Sequence, residues 1–264
     1  MIFACGEKPA EDTGSTVGDN KETENAGAAE PPTEPPPTDP PEPTEPPTTE
    51  EPTEPYVADP SLSYWDQIQA ELEHYGLAGG ERIFKGDDEA ALMKSLGTNN
   101  NKREELDLSG DDSVPFSAAY KVWTTKDMVN FWDANYSTNL WKDVPVEMDD
   151  LIVGVIWIKG RRLEESEQYL MDDPAQFYLA VKTPTDDWGT EGNMMPSGVQ
   201  IAEDDWQKIF FCGEILNEES SSSNVSFNIY MGYGIQEFEI GGVVAYKFPW
   251  TAENANAVLN FVDY

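Results

Sequence analysis

The chain has 264 residues, with 51 Asp and Glu against 16 Lys and Arg, and a formal net charge of −35 at pH 7. A surface of that sign repels phosphate backbones and anionic lipid, which excludes nucleic-acid binding and docking to an acidic membrane through a basic patch. One His and two Cys are too few for a zinc ribbon, a multi-histidine metal cluster or a disulfide framework, and the longest apolar run, from Leu151 to Ile158 with Gly154 inside it, is too short to span a bilayer.

In chain order, residues 1–5, Met-Ile-Phe-Ala-Cys, resemble the end of a bacterial lipoprotein signal, where small residues precede a Cys that receives lipid. Phe3 is larger than usual there, and the basic and apolar regions of such a signal are missing. The resemblance implies lipidation at Cys5, membrane contact only through that anchor, and an extracellular place on a bacterial cell surface. Residues 6–60 follow as a linker. Residues 1–60 hold 15 of the acidic side chains and two basic ones, net −13, which leaves 36 against 14, net −22, for the rest. Between Pro31 and Pro55 stand 12 of the 20 prolines, among Thr, Glu and Asp and no other apolar side chain. Proline fixes φ and removes a donor, so this stretch is expected to be a disordered, extended and self-repelling tether.

Residues 61–264 contain all eight tryptophans and are expected to fold as one domain. Trp65, Ile68, Leu72 and Tyr75 recur at helical spacing, with Ser63 placed to cap the start and Gly76 to end it. His74 falls near the C-terminus of that helix, a favourable place for a cation and an improbable one for a catalyst. A second helical turn is expected over 88–96, stopped by Gly97. Beyond Lys102 the pattern changes to strands over 103–108, 117–124, 131–138, 151–158, 177–182, 206–216, 225–231 and 236–248, separated by turn-rich segments. Many short strands without long intervening helices predict an all-β fold, a β-sandwich or jelly roll with a short N-terminal helix. Trp123, Trp157 and Trp206 are assigned to its core.

The period of two divides each strand into faces. In 225–231, Val225, Phe227, Ile229 and Met231 face one way and Ser226, Asn228 and Tyr230 the other. In 131–138, Trp132, Ala134 and Tyr136 oppose Asp133, Asn135 and Ser137. Sugars are recognised by flat rings that cover the C–H face of a pyranose and by amides or carboxylates that bind its hydroxyls. Polar faces joined in one sheet would make such a floor, and Trp141 and Trp188, both outside clear strands, would serve as loop-borne ring platforms.

Several stretches bear a resemblance: Val114-Pro-Phe-Ser-Ala-Ala-Tyr-Lys-Val-Trp, Asn130-Phe-Trp-Asp-Ala-Asn, Asp150-Leu-Ile-Val-Gly-Val-Ile-Trp-Ile-Lys-Gly, Asp205-Trp-Gln-Lys-Ile and Phe227-Asn-Ile-Tyr-Met-Gly-Tyr-Gly-Ile-Gln-Glu-Phe-Glu-Ile-Gly-Gly-Val. In order and spacing they look like the strands of carbohydrate-binding modules of families 4 and 9, especially those preceding family 10 xylanase domains, over roughly Gly79 to Phe248. The resemblance implies a jelly roll that binds a β-linked glycan, with Trp132, Asp133 and Gln236 at matching motif positions. The chain departs from the pattern in lacking an attached catalytic barrel and in the extra helix before Gly76. Gly241 and Gly242 are expected to permit a bulge or close backbone approach.

These readings lead to a non-catalytic protein that binds a neutral β-linked plant polysaccharide, xylan or β-glucan, as a monomer, with Trp132, Asp133, Asn135, Trp141, Trp188, Asn228, Tyr230 and Gln236 as ligand contacts. An accessory or adhesion domain for a protein or cell-wall partner, and a detached or divergent glycoside hydrolase, remain alternatives. Glu237 and Glu239 are the nearest acid pair, but they project from one side of a single strand, whereas hydrolysis needs carboxyls on both sides of the bond. They read instead as solvated edge charges. No G-x-S-x-G supports serine-esterase chemistry. The pairs Asp111-Asp112, Asp149-Asp150, Asp172-Asp173, Asp186-Asp187 and Asp204-Asp205 leave room for one structural calcium, with no other cofactor expected. Cys212 reads as a buried free thiol.

Overall fold

The computed structural model describes residues 55–83, 97–139, 146–165, 170–182, 194–215 and 226–262. Helix α1, Tyr64–His74, forms where the apolar spacing places it: the Ser63 side chain accepts from the Asp66 N–H at its start, and Gly76, at φ +100°, turns the chain away at its end. The turn expected over 88–96 lies outside the described residues, and Gly97, its supposed stop, begins strand β2.

The strands are β1 Glu81–Arg82, β2 Gly97–Asn99, β3 Asn101–Asp107, β4 Ala118–Thr124, β5 Asn135–Asn139, β6 Leu151–Arg162, β7 Ala175–Lys182, β8 Met194–Met195, β9 Val199–Ala202, β10 Gln207–Glu214, β11 Ser226–Tyr230 and β12 Gln236–Phe248, followed by helix α2, Ala252–Val258. They pair antiparallel into two sheets. A seven-stranded sheet runs β3-β4-β12-β6-β10-β8, with β1 paired to the far half of β12, and a five-stranded sheet runs β2-β5-β11-β7-β9. Between the sheets lie Val122, Ile156, Ile158, Phe238 and Ile240 from one side and Tyr136, Phe177, Leu179, Phe227 and Ile229 from the other. Phe211 stacks on Phe227 at 4.4 Å between centroids, and Phe177 meets Phe238 edge-on at 6.0 Å. The expected all-β sandwich is therefore present.

Strands β6 and β12 read as nearly unbroken apolar runs because they are buried on both faces over part of their length. The outward side chains Val153, Val155, Val244, Tyr246 and Phe248 pack under Trp65, Ile68 and Leu72 of α1 and Ala257 and Val258 of α2. Polar contacts fix the cover: Tyr64 Oη donates to the Gly242 carbonyl at 2.6 Å, and Tyr246 Oη to that of Trp65 at 2.5 Å. The Asn254 side chain bridges both backbone groups of Ala78, and Tyr75 stacks on Phe261 at 4.9 Å. Cys212 lies in this layer, 2% exposed, and burial pushes its thiol up to about 12. At pH 8 a disulfide reagent should therefore leave Cys212 unmodified in the folded protein and label it on unfolding; rapid native labelling would mean that the helices open readily.

Trp157 and Trp206 sit outside the inter-sheet core, half-buried with Phe116 and Val114 in a satellite cluster on the outer face of the seven-stranded sheet. Trp123, also half-buried, faces outward beside Glu237. The period of two cannot separate an inner face from an outer face that other elements cover. The register between β12 and β6 slips between Gly241 and Val244, so the expected bulge is present. A Cβ at Gly241 would run into the Phe116 ring, and Gly242 holds φ +56° against Phe116 and Trp157. Gly241→Ala should lower stability by about 1–3 kcal/mol, read from the urea midpoint; an unchanged midpoint would show that Phe116 moves aside freely.

Candidate functional site

The outer face of the five-stranded sheet is built by register. Asn135 on β5 pairs with Tyr230 on β11, Tyr230 with Tyr178 on β7, and Tyr178 with Val199 on β9. Directly paired residues share a face, so these four side chains form one row across four strands. Three inter-strand steps make it about 14 Å long, the reach of a short oligosaccharide. Asn228 with Ala180 and Gln176 with Ile201 flank the row on the same face. Every one of these side chains is uncharged, in a domain whose surface is strongly anionic.

A 3-10 turn, Phe131–Asp133, lies against the two tyrosines in the middle of the row. Phe131 lies against Tyr178 at 5.6 Å and Tyr230 at 5.8 Å, stacks on Tyr233 at 5.1 Å with planes 8° apart, and meets Trp132 edge-on at 4.8 Å. Hydrogen bonds fix the turn from three sides. Gly232 N–H donates to the Phe131 carbonyl at 2.9 Å, Met231 N–H to that of Ala134 at 2.9 Å, and Asn100 Nδ2 to that of Asp133 at 2.5 Å. Gly232 is required here, since a Cβ would strike the backbone of Asn130 and Phe131. Trp132 is thereby presented on a fixed turn with 37% of its surface exposed.

The expected ligand contacts separate accordingly. Asn135 is half-buried in the row and Trp132 stands on the adjoining turn, whereas Tyr230 and Asn228 lie on the same face but are buried, 3% and 7% exposed, and offer a ligand little surface. Trp132 does not belong to a strand face with Ala134 and Tyr136, as the alternation implied, because the segment begins as a turn; those two are buried and Trp132 is not. The Asp133 carboxylate accepts from the Asn130 N–H at 3.1 Å and so closes the turn. Gln236 is fully buried: its Oε1 accepts from the Gln176 N–H at 2.9 Å, and its Nε2 donates to the carbonyls of Gln176 and Met231, both at 2.7 Å. That amide is committed to the backbone beneath the site and faces no ligand. Trp141 and Trp188 lie outside the described residues. The sequence reading passed over Phe131, Tyr178, Gln176, Tyr233, Val199 and Ile201; the alternation in β7 already turns Gln176 and Tyr178 away from Phe177 and Leu179.

The opposite outer face bears charge instead. Glu237 and Glu239 stand on β12, in the interior of the sheet and not at an edge, each between cations of β4 and β6. Arg161 meets Glu237 at 2.8 Å, Lys159 meets Glu239 at 2.8 Å, and Lys121 lies 3.7 Å from Glu237 and 3.3 Å from Glu104. Lys121 titrates higher than an ordinary lysine, chiefly through its hydrogen bond to Glu104. The two glutamates are neutralised in place by an ion-pair ladder. The described aspartate pairs chiefly shape turns: Asp111 accepts from the N–H of Ser113, Asp150 from that of Glu147 and Asp173 from that of Leu170. Among the described residues no group of three or more His, Cys, Asp or Glu is arranged to hold a metal ion.

Fold and site together define an antiparallel two-sheet sandwich with an uncharged, ring-bearing row on one outer face. No protein-family model and no curated protein matches the sequence. Among solved structures the chain is similar to the CBM22-1 xylan-binding domain from Paenibacillus barcinonensis, at 9% identity and TM-score 0.41 over 66% of this chain and 96% of that one. It is similar to a structure described as "CBM4 structure and function", at 10% and 0.36 over 63% and 94%, and to a cyclase from Fischerella sp. TAU, at 8% and 0.41 over 66% and 100%. A shared fold does not carry activity, which has to be argued from the side chains.

Proposed function

We propose that this protein is a non-catalytic polysaccharide-binding protein, that its ligand is a neutral β-linked plant glycan such as xylan or β-glucan, and that a lipidated Cys5 with the Pro-Thr-Glu tether displays it on a bacterial surface. The observation that carries the reading is the uncharged row Asn135-Tyr230-Tyr178-Val199, with Phe131 packed on its tyrosines and Trp132 exposed beside Phe131. Rings offer flat apolar surface to pyranose C–H groups, while the amides of Asn135 and Gln176 offer donors and acceptors to hydroxyls. The net charge of −35 disfavours polyuronic acids on the same face.

Affinity electrophoresis of the full chain tests this. Retardation in gels of xylan or mixed-linkage β-glucan is expected, with none in polygalacturonate, no reducing sugar released, and weaker retardation in Trp132→Ala. Unchanged mobility in every glycan would remove the reading. A protein partner is the second reading, favoured by Val199 and Ile201, which are 49% and 51% exposed on the edge strand β9. It predicts flat mobility in all glycan gels.

A further inference from the structure

A groove of about 430 Å³ lies on the other side of the sandwich, between α1, the turn at 112–115 and the seven-stranded sheet. Gln67, Ile68 and Glu71 line it along one stripe of α1, and Tyr56, before the helix, forms part of its rim, with its ring 5.7 Å from that of His74. Trp157 and Lys208 contribute from the sheet and Asp112 from the turn. Ring surface and hydrogen-bonding groups therefore converge in a cleft of the size that takes small molecules.

We propose that this groove is a second saccharide site, separate from the row on the five-stranded sheet and independent of it. Its polar groups decide the ligand class. Glu71, only 8% exposed, is already paired with Lys208, so a cation is not its missing complement. The anionic domain disfavours anions. What remains is a neutral, hydroxyl-rich ligand, whose O–H groups donate to the Gln67 carbonyl oxygen and to the carboxylates of Glu71 and Asp112 while its C–H face meets Tyr56. The Gln67 amide nitrogen is already committed, donating to the Leu62 carbonyl at 3.0 Å, which orients its oxygen.

The test is isothermal titration of the full chain with xylohexaose. Wild type should bind two equivalents, while Gln67→Ala and Asp112→Asn should each bind one, that one being lost on adding Phe131→Ala. Asp112 is exposed, so Asp112→Asn keeps the test open if Gln67→Ala loosens the start of the helix. One equivalent that is indifferent to Gln67 and Asp112 but lost in Phe131→Ala would overturn the groove and leave the front-face reading standing. One equivalent with the reverse sensitivities would establish the groove and overturn the front face. No binding by the wild type would overturn both.

Discussion

Gln236→Leu should destabilise the folded domain by about 3 kcal/mol, although the change nearly conserves side-chain volume. The side chain is fully buried and all its hydrogen bonds go to backbone groups: the N–H and carbonyl of Gln176 on β7 and the carbonyl of Met231 after β11. Thr124 secures the same point, its Oγ1 accepting from the Gln236 N–H at 2.9 Å and donating to the Gly234 carbonyl at 2.8 Å. An aliphatic replacement leaves one donor and two acceptors buried without partners, and each such loss costs about 1–3 kcal/mol before relaxation. Urea unfolding at constant m should show the loss as a lower midpoint. Because Met231 and Gly232 also hold the Phe131 turn, glycan affinity should fall with stability. A midpoint within error of wild type would show that water replaces the amide and that the site does not depend on this bridge.

Phe131→Ala carries the largest expected effect on binding, a loss of at least about tenfold, or about 1.4 kcal/mol. The ring is the hub of the aromatic cluster on the row, in contact with Trp132, Tyr178, Tyr230 and Tyr233. Aromatic pairs of this kind contribute about 0.5–1.5 kcal/mol each beyond area burial, so removing the hub frees Trp132 from its fixed placement as well as deleting ring surface. The turn itself is held by hydrogen bonds from the N–H groups of Met231 and Gly232 and from the Asn100 side chain, so the fold should survive. Retained far-ultraviolet circular dichroism with weakened retardation in xylan or β-glucan gels is the expected pattern. Unaltered retardation would place the ligand elsewhere.

Helix α1 and the long strands β4, β6, β7, β10, β11 and β12 were legible because their signals are local: helical spacing after a capping serine, or apolar runs between turn residues. Strands β1, β2, β8 and β9 are two to four residues long and hold their places through partners distant in sequence, so no window along the chain reveals them. Helix α2 was passed over, although Thr251 caps it through the Asn254 N–H. The segment 131–138 misled because alternation continues through the 3-10 turn into β5. Its turn is fixed by Gly232 and Asn100, which are far away in the chain.

The site was half legible for a related reason. Alternation in β11 shows that Asn228 and Tyr230 share a face, but only the strand order and register bring Asn135, Tyr178 and Val199 beside Tyr230. Gln236 looked like a ligand contact because a polar side chain in an apolar strand has two explanations, an exposed face or a buried bridge between strands. Its full burial beneath Met231 selects the bridge. Glu237 and Glu239 looked like edge charges until β12 took its place between β4 and β6, whose cations flank them.

The central claim is that the uncharged row on the five-stranded sheet holds a glycan. Backbone and side-chain NMR shifts recorded while xylohexaose is titrated into the full chain test it most directly. The prediction is saturable movement of Trp132, Asn135, Tyr178 and Val199 together, with Lys121, Arg161 and Glu237 on the ion-pair ladder unmoved. Saturation with no change along the row, or with the change confined to the ladder, would contradict it.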